Sequence, residues 1–289
     1  MALLSYVRDV PDEASHVWAT DMAAAYDRHL APAVFAPFAD DLAGRVARQT
    51  PRRLLELAAG TGVLTRAMLT ALPEARVTAT DLNVAMVSVG AARAPWASWQ
   101  PADAMHLPFD AASFDLVACQ FGVMFFPDRV VAYAEVARVL TPGGCCLCKC
   151  GGPSETHEVE TTVMTALTDR FRDDPPSFLA RVPHGYHDAG RIEADLAKAG
   201  LDSVGVEVVE LWNTAQSAAD LAHGYCRGTP LRGEIEARGN LDTTVAAVAA
   251  ALERRFGPGP IAGRMEALVV SAHASAGLQS TEHRLSARP

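Results

Sequence analysis

Between residues 51 and 150 the apolar positions follow two alternating periods. Short, nearly continuous apolar runs occur at Arg53–Ala59 (broken by Glu56), Ala75–Leu82, Ser98–Ala102, Phe114–Phe121 and Cys145–Cys150. Between them, in the stretch up to Leu72, in Val84–Arg93 and in Pro127–Leu140, apolar residues recur at helical spacing. The runs predict buried strands and the intervening stretches predict amphipathic helices, with Pro73 and Pro142-Gly143-Gly144 as stops. Strands alternating with helices of this length imply a parallel sheet covered on both faces.

The rhythm differs on either side. Residues 1–50 are predicted helical, through Ala23–Leu30 and Phe38–Arg48, with Pro32 and Pro37 punctuating the segment between them. After Gly151 the pattern predicts one helix at Glu155–Phe171, a loop from Pro175 to Asp188, and a helix Asp188–Ala199 with Gly200 as its C-cap. A strand with alternating valines follows at Val204–Leu211, then helices at Ser217–Tyr225 and Thr243–Phe256 and a last strand at Met265–Ala272. The fold class is therefore α/β: a doubly wound, mostly parallel seven-stranded sheet with helices on both faces. Its expected divisions are a helical cap (1–50), a core (51–152), a helical insertion (153–200), the rest of the sheet with further helices (201–274) and a flexible polar tail (275–289). Helices from 1–50, 155–190 and 217–256 are expected to form a lid.

Composition narrows the class. Apolar residues make up 49% of the 289, enough for a large core, and the formal charge of −9 repels phosphate backbones. With no basic stripe, nucleic acid is excluded as a partner. Met1–Val10 lacks a signal-peptide pattern, and Val245–Leu252, the longest strongly apolar helical stretch, is too short to span a bilayer. A soluble, cytoplasmic protein without a membrane partner is expected; the oligomeric state stays open, a homodimer being compatible. Four of the six cysteines crowd into Cys145, Cys146, Cys148 and Cys150. On a strand, Cys146, Cys148 and Cys150 share one face and Cys145 takes the other, which cannot wrap a tetrahedral ion. They read as small buried apolar residues, and no metal is expected.

Candidate chemistry enters at Leu54-Leu55-Glu56-Leu57-Ala58-Ala59-Gly60-Thr61-Gly62, a strand opening through a glycine turn into a helix. That is the entrance of a nucleotide-binding crevice, where Gly60 and Gly62 let the main chain turn and approach a ligand. Asp81, at the end of the next strand, stands where a carboxylate accepts both hydroxyls of a ribose, while Asn83 is better placed to cap the following helix. A nicotinamide-dependent oxidoreductase shares these features. Against it, the position for the third glycine of a pyrophosphate binder is Thr65, and a buried Glu56 suits a cationic ligand better than a pyrophosphate.

Further segments fall in register: Asp81-Leu82-Asn83-Val84-Ala85-Met86, Ala102-Asp103-Ala104-Met105-His106-Leu107-Pro108-Phe109, Ser113-Phe114-Asp115-Leu116-Val117 and Arg138-Val139-Leu140-Thr141-Pro142-Gly143-Gly144. With the glycine turn, these resemble the class I S-adenosylmethionine-dependent methyltransferases, "type 11", the group that includes quinone-biosynthesis C-methyltransferases. The resemblance covers residues 52–150. It implies a Rossmann-like fold and S-adenosyl-L-methionine as cofactor, with S-adenosyl-L-homocysteine as product. It implies that Ala58 and Gly60 line the methionine part, that Asp81 takes the ribose and Leu82 flanks the adenine. Asp103 and Ala104 would contact the adenine, Gln120 and Phe121 would face the transferred methyl, and Glu56, Thr61, Gly62, Met86 and Met105 would complete the set. The family's first glycine is Ala58 here.

Methyl transfer from a sulfonium is an in-line displacement that needs alignment and dryness, with a base only if the acceptor carries a proton. The candidates for that base lie in two clusters: Tyr26 and His29, with Trp18 nearby, and Tyr186 and His187 in His184-Gly185-Tyr186-His187-Asp188. His157 and His184 are expected to be solvated. Phe121 and Met124 suggest an apolar wall, which favours a small aromatic or prenyl-like acceptor, methylated at carbon, nitrogen or oxygen, in secondary metabolism; quinone-type C-methylation in primary metabolism is the alternative.

Overall fold

A computed structural model describes residues 20–275; Trp18 and most of the predicted tail, 276–289, lie outside them. The chain enters through helix α1 (Thr20–Ala25), a π-helical stretch (Tyr26–Phe35) and α2 (Ala36–Arg48). The core then alternates: β1 (Arg53–Glu56), α3 (Val63–Ala71), β2 (Arg76–Asp81), α4 (Val84–Arg93), β3 (Ser98–Pro101), β4 (Phe114–Gln120), α5 (Arg129–Val139) and β5 (Leu140–Gly151). Helices α6 (Glu158–Arg170), α7 (Phe178–Arg181) and α8 (Ala189–Lys198) follow, then β6 (Leu201–Ala215), α9 (Ala218–Arg227), α10 (Leu231–Glu236), α11 (Leu241–Phe256) and β7 (Ile261–Ala274).

The seven strands form one sheet in the order β3-β2-β1-β4-β5-β7-β6. Pairings through β5 are parallel, while β7 runs antiparallel to both β5 and β6. The order reverses beside β1, where β2 and β4 leave in opposite directions, and ligands of such sheets bind outside the strands' carboxyl ends at that point. Both faces carry core. Leu54, Leu116, Cys145 and Leu147 pack under Leu42, Val46, Leu64 and Met68 of α2 and α3. On the other face Leu55, Val117, Cys146, Cys148 and Cys150 meet Tyr133, Val136 and Ile192. The cysteine alternation is as expected from the strand period, and all six thiols are free and buried.

Several boundaries differ from the pattern, each for a local reason. The chain stays helical across Pro32, where the wider π-turn accommodates a residue without an N–H and the segment buries Leu30, Ala31, Ala33 and Val34. The Pro142-Gly143-Gly144 stop lies inside β5, which starts at Leu140 and pairs with β4 across a register shift. The predicted loop 175–188 contains α7, whose first N–H groups, Ser177 and Phe178, donate to Glu234 of α10; neither short helix has a periodic signature. Strands β6 and β7 extend well beyond their apolar cores, because their polar residues point outward along the antiparallel pair. Lys149 of β5 is fully buried and donates to the Phe38 carbonyl (2.7 Å) and Asp41 (2.6 Å), tying α2 to the sheet.

One expectation fails outright. His157 and His184 are not solvated but 1% and 5% exposed. Gly151, at the end of β5, lets the 182–185 main chain close over this region. A Cβ on Gly151 would stand 2.9 Å from the Pro183 carbonyl.

Candidate active site

The glycine turn between β1 and α3 is held open by backbone conformation. Ala58 (φ +50°), Gly60 (φ +56°) and Gly62 (φ +81°) are all left-handed. That region is free for glycine but costs alanine about 1–2 kcal/mol. Ala58 touches Gly122 across the crevice, where a Cβ would come within 2.5 Å of the Ala58 methyl. Asp81 closes the turn from β2: one carboxylate oxygen accepts the Gly60 N–H and the other the Asn83 N–H, both at 2.8 Å. Asn83 caps α4 through the Ala85 and Met86 N–H groups, so Asp81 is free of that duty. Burial pushes the Asp81 carboxyl above its usual range, opposed by those two N–H donors.

Glu56 sits beneath the turn, 2% exposed, accepting a 2.5 Å hydrogen bond from Thr65. Burial pushes it up to about 8, with the Thr65 hydroxyl pulling the other way and Asp81 adding to the rise. Near neutral pH it holds its proton, so the anion expected from the sequence awaits a positive partner. Thr65 is also the residue in place of the third glycine of a pyrophosphate binder, and its hydroxyl is committed to Glu56.

Beyond β3, Asp103 accepts the Met105 N–H at 2.9 Å and turns Ala102–His106 into a compact loop. Met86 is buried and Leu82 is 62% exposed at the rim. On the β4 side Phe121 is left-handed at φ +52°, a strained conformation of the kind that collects at functional sites. Its ring joins a row: Tyr26 stacks on Phe35 (5.2 Å between centroids), Phe35 leans on Phe121 (5.5 Å), and Phe38 meets Phe121 edge-on (5.3 Å). Gln120 donates to the Phe35 carbonyl at 3.2 Å. Two buried oxygens in this crevice, Thr61 Oγ1 and Gln120 Oε1, have no hydrogen-bond partner. Surface hollows beside Arg45 and Glu207, and beside Thr50 and Asp115, lie away from these residues.

Residues 55–148 match the methyltransferase domain family. A demethylmenaquinone methyltransferase of Streptomyces griseus subsp. griseus is 32% identical over 172 residues, which cover 56% of this chain and 74% of that enzyme. The chain belongs to the class I S-adenosylmethionine-dependent methyltransferases. A malonyl-[acyl-carrier protein] O-methyltransferase of Halorhodospira halophila is 38% identical over 116 residues, 39% of each chain. The chain spans less than half the length of most curated relatives it matches, 38% to 46% in several. A phosphoethanolamine N-methyltransferase 2 of Haemonchus contortus shares the fold, with a TM-score of 0.57 at 17% identity, covering 91% of this chain and 59% of that one.

The family uses S-adenosylmethionine, and the crevice fits that group. The left-handed turn leaves Gly60 bare, with nothing within 4 Å of where a Cβ would lie. The unpartnered Thr61 and Gln120 oxygens and the protonated Glu56 could meet a zwitterionic, cationic amino-acid moiety. The four candidates for a base are scattered. Tyr26 is partly buried, and burial first, then the charges of Asp81 and Asp27, raise its phenol. His29 lies 3.2 Å from Asp220 and stacks on His223. Tyr186 is buried, donates to Asp195 at 3.0 Å and lies under the Arg129 guanidinium. His187 is exposed, its Nδ1 2.6 Å from the His184 carbonyl. Sequence reasoning missed Glu160, which joins His157 and His184 in the methyltransferase's interior; only its spacing of three from His157 hinted at it.

Proposed function

We propose that this methyltransferase moves the methyl group of S-adenosylmethionine onto a small, apolar, aromatic metabolite. The observation that supports this most is the aromatic row Tyr26–Phe35–Phe121–Phe38, continuous with the turn residues. Bound cofactor supplies a methyl group already activated on a sulfonium. The chain's residues would do the rest by position. Asp81 accepts from the ribose hydroxyls and Leu82 covers the base. Asp103, Ala104 and Met105 frame its edge, while Ala58, Gly60, Thr61 and Gly62 bring main chain against the amino-acid part. The aromatic row excludes water and stacks the acceptor, which is where most of the rate advantage of such a transfer arises.

If the acceptor carries a proton, the chain needs a group to receive it. His29, oriented by Asp220, is the assignment, with His187, held at the His184 carbonyl, a weaker one; Tyr26, at the cofactor edge, and Tyr186, held by Asp195, keep their own protons and would act by donating a hydrogen bond to the acceptor. The setting is the cytoplasm, consistent with six free thiols and with no described helix long and apolar enough to cross a membrane. A nicotinamide-dependent oxidoreductase is set aside, since the family is a methyltransferase family and Thr65 occupies the third-glycine position. A second reading, quinone-type C-methylation, is favoured by the S. griseus relative. Secondary-metabolite tailoring is favoured by the added helices at 217–256.

Turnover with methyl-labelled cofactor on a panel of demethylated quinols, phenols, indoles and aliphatic amines tests the reading. Label in an aromatic acceptor is expected, and label only in the aliphatic amines would reject it. Among active acceptors, His29→Ala should lower kcat more than it raises KM if it takes the proton, and Tyr26→Phe should act mainly on KM if its hydroxyl orients the acceptor.

A further inference from the structure

Three buried polar side chains converge beyond the carboxyl end of β5. His157 precedes α6, Glu160 lies in its first turn, and His184 comes from the segment after α7; they are 1%, 7% and 5% exposed. One nitrogen or oxygen from each lies within 4.8 Å of the others. All three are buried, beside core residues of the same helix such as Val159 and Val163. Burying such groups costs several kcal/mol unless each polar atom finds a partner.

A shared proton satisfies part of the cluster. The Nδ1 of His184 is 2.6 Å from the Gly152 carbonyl, a pure acceptor, so that nitrogen carries a hydrogen. The Nε2 is 2.8 Å from Glu160 Oε1, a pairing that needs a positive charge between a nitrogen lone pair and a carboxylate. A proton there leaves His157 untouched. Neither of its buried ring nitrogens makes a well-formed hydrogen bond, the Glu266 main chain being a looser polar neighbour, and the Tyr225 hydroxyl is likewise buried without a partner. His157 and His184 meet edge to face at 4.4 Å. His157 therefore brings two ring nitrogens without a hydrogen-bond partner into a buried cluster.

We propose that His157, Glu160 and His184 bind a divalent transition-metal ion, zinc in the first instance. Two neutral imidazoles and one carboxylate are a donor set these ions favour. The bond from His184 Nδ1–H to the Gly152 carbonyl is the outer contact that orients a ligating histidine through its other nitrogen. Glu160 presents one oxygen to each histidine: Oε1 at 2.8 Å from His184 Nε2 and Oε2 at 4.0 Å from His157 Nδ1. Ligand atoms around a tetrahedral ion with bonds of about 2.0–2.2 Å stand roughly 3.3–3.5 Å apart, so side-chain shifts of about 1 Å suffice. The ion would fasten the start of α6 to the 182–185 segment. Three protein ligands leave a fourth position for water or for a heteroatom of the acceptor. This inference does not rest on the methyl-transfer reading, since its readout is metal content.

The test is elemental analysis of the untagged full chain, purified with zinc in the growth medium and gel-filtered, together with the visible spectrum after cobalt substitution. About one equivalent of metal per chain, d–d bands of four-coordinate cobalt and a lowered Tm after chelation are expected. His157→Gln and Glu160→Gln should each weaken metal binding by about tenfold or more, whereas His273→Gln, on β7 at the far end of the sheet, should not. Substoichiometric metal in the wild type, with no rise in Tm on adding zinc, cobalt or nickel, would overturn the proposal. So would equal metal content in the wild type and the His157→Gln/Glu160→Gln double variant. Should those variants fail to fold, the wild-type metal content and cobalt spectrum decide alone.

Discussion

Glu56 shows how far one residue's behaviour departs from its sequence context. Its position in the motif was legible, and so was its burial; its protonation was not, because that depends on the dry space under the turn and on the Thr65 hydroxyl. A folded-state value near 8, against an ordinary value of 4.5, has a definite sign. The folded chain keeps a proton that the unfolded chain loses, so the stabilisation is complete below about 4.5 and disappears as pH rises through about 8. Denaturant titrations at pH 5 and pH 8.5 should therefore show the wild type losing stability relative to Glu56→Gln, by an amount on the order of a few kcal/mol. Parallel pH dependences in the two proteins would contradict that assignment. Ala58 makes a second residue-scale case. Its left-handed backbone predicts that Ala58→Gly raises stability by about 1 kcal/mol in the same titration; a loss would mean that the methyl's packing on Gly122 outweighs the strain.

Elements with strong periodicity were readable: α4 has the predicted bounds, Asn83 caps as expected, and the cysteines of β5 alternate between the two cores. Elements fixed by distant partners were not. Helix α7 starts where Glu234 accepts its N–H groups, the chain continues through Pro32 as a π-helix, and the polar string around His184 is buried by a main-chain approach at Gly151. No local pattern encodes those contacts. The packing of α4 on β3 yields an element-scale prediction. A Cβ at Gly90 would lie 2.3 Å from the Trp99 ring, and that indole is pinned by its bond to the Ala94 carbonyl. Gly90→Ala should cost about 1–3 kcal/mol by overpacking, read as a lower denaturant midpoint. Gly44→Ala, in α2 with open space around it, should be neutral or stabilising by up to about 1 kcal/mol. A Gly90→Ala protein as stable as Gly44→Ala would show that the indole has room to move.

Across the whole molecule, the mostly parallel sheet and the crevice were implied by the alternation of residues 51–150, whereas the order of the strands was not, and the helices that surround the crevice were foreseen only as a break in that alternation. The structure packs the first of them against the later ones: Leu30 lies against Gly224 of α9, and the Tyr26 main chain against Gly228. We propose that they act together as a lid, so hydrogen exchange in 26–35 and 218–236 should slow when S-adenosylhomocysteine and an acceptor are bound. Unchanged exchange would leave them as fixed walls. The central claim is narrower and can be tested on its own: a nucleoside bearing a cationic sulfur lies at the strand tips, held by Asp81. Isothermal titration of the purified chain with S-adenosylmethionine should give saturable binding near one ligand per chain, weakened roughly 10- to 100-fold by Asp81→Ala. Absence of binding heat in the folded wild type, or undiminished affinity in the variant, would contradict the account.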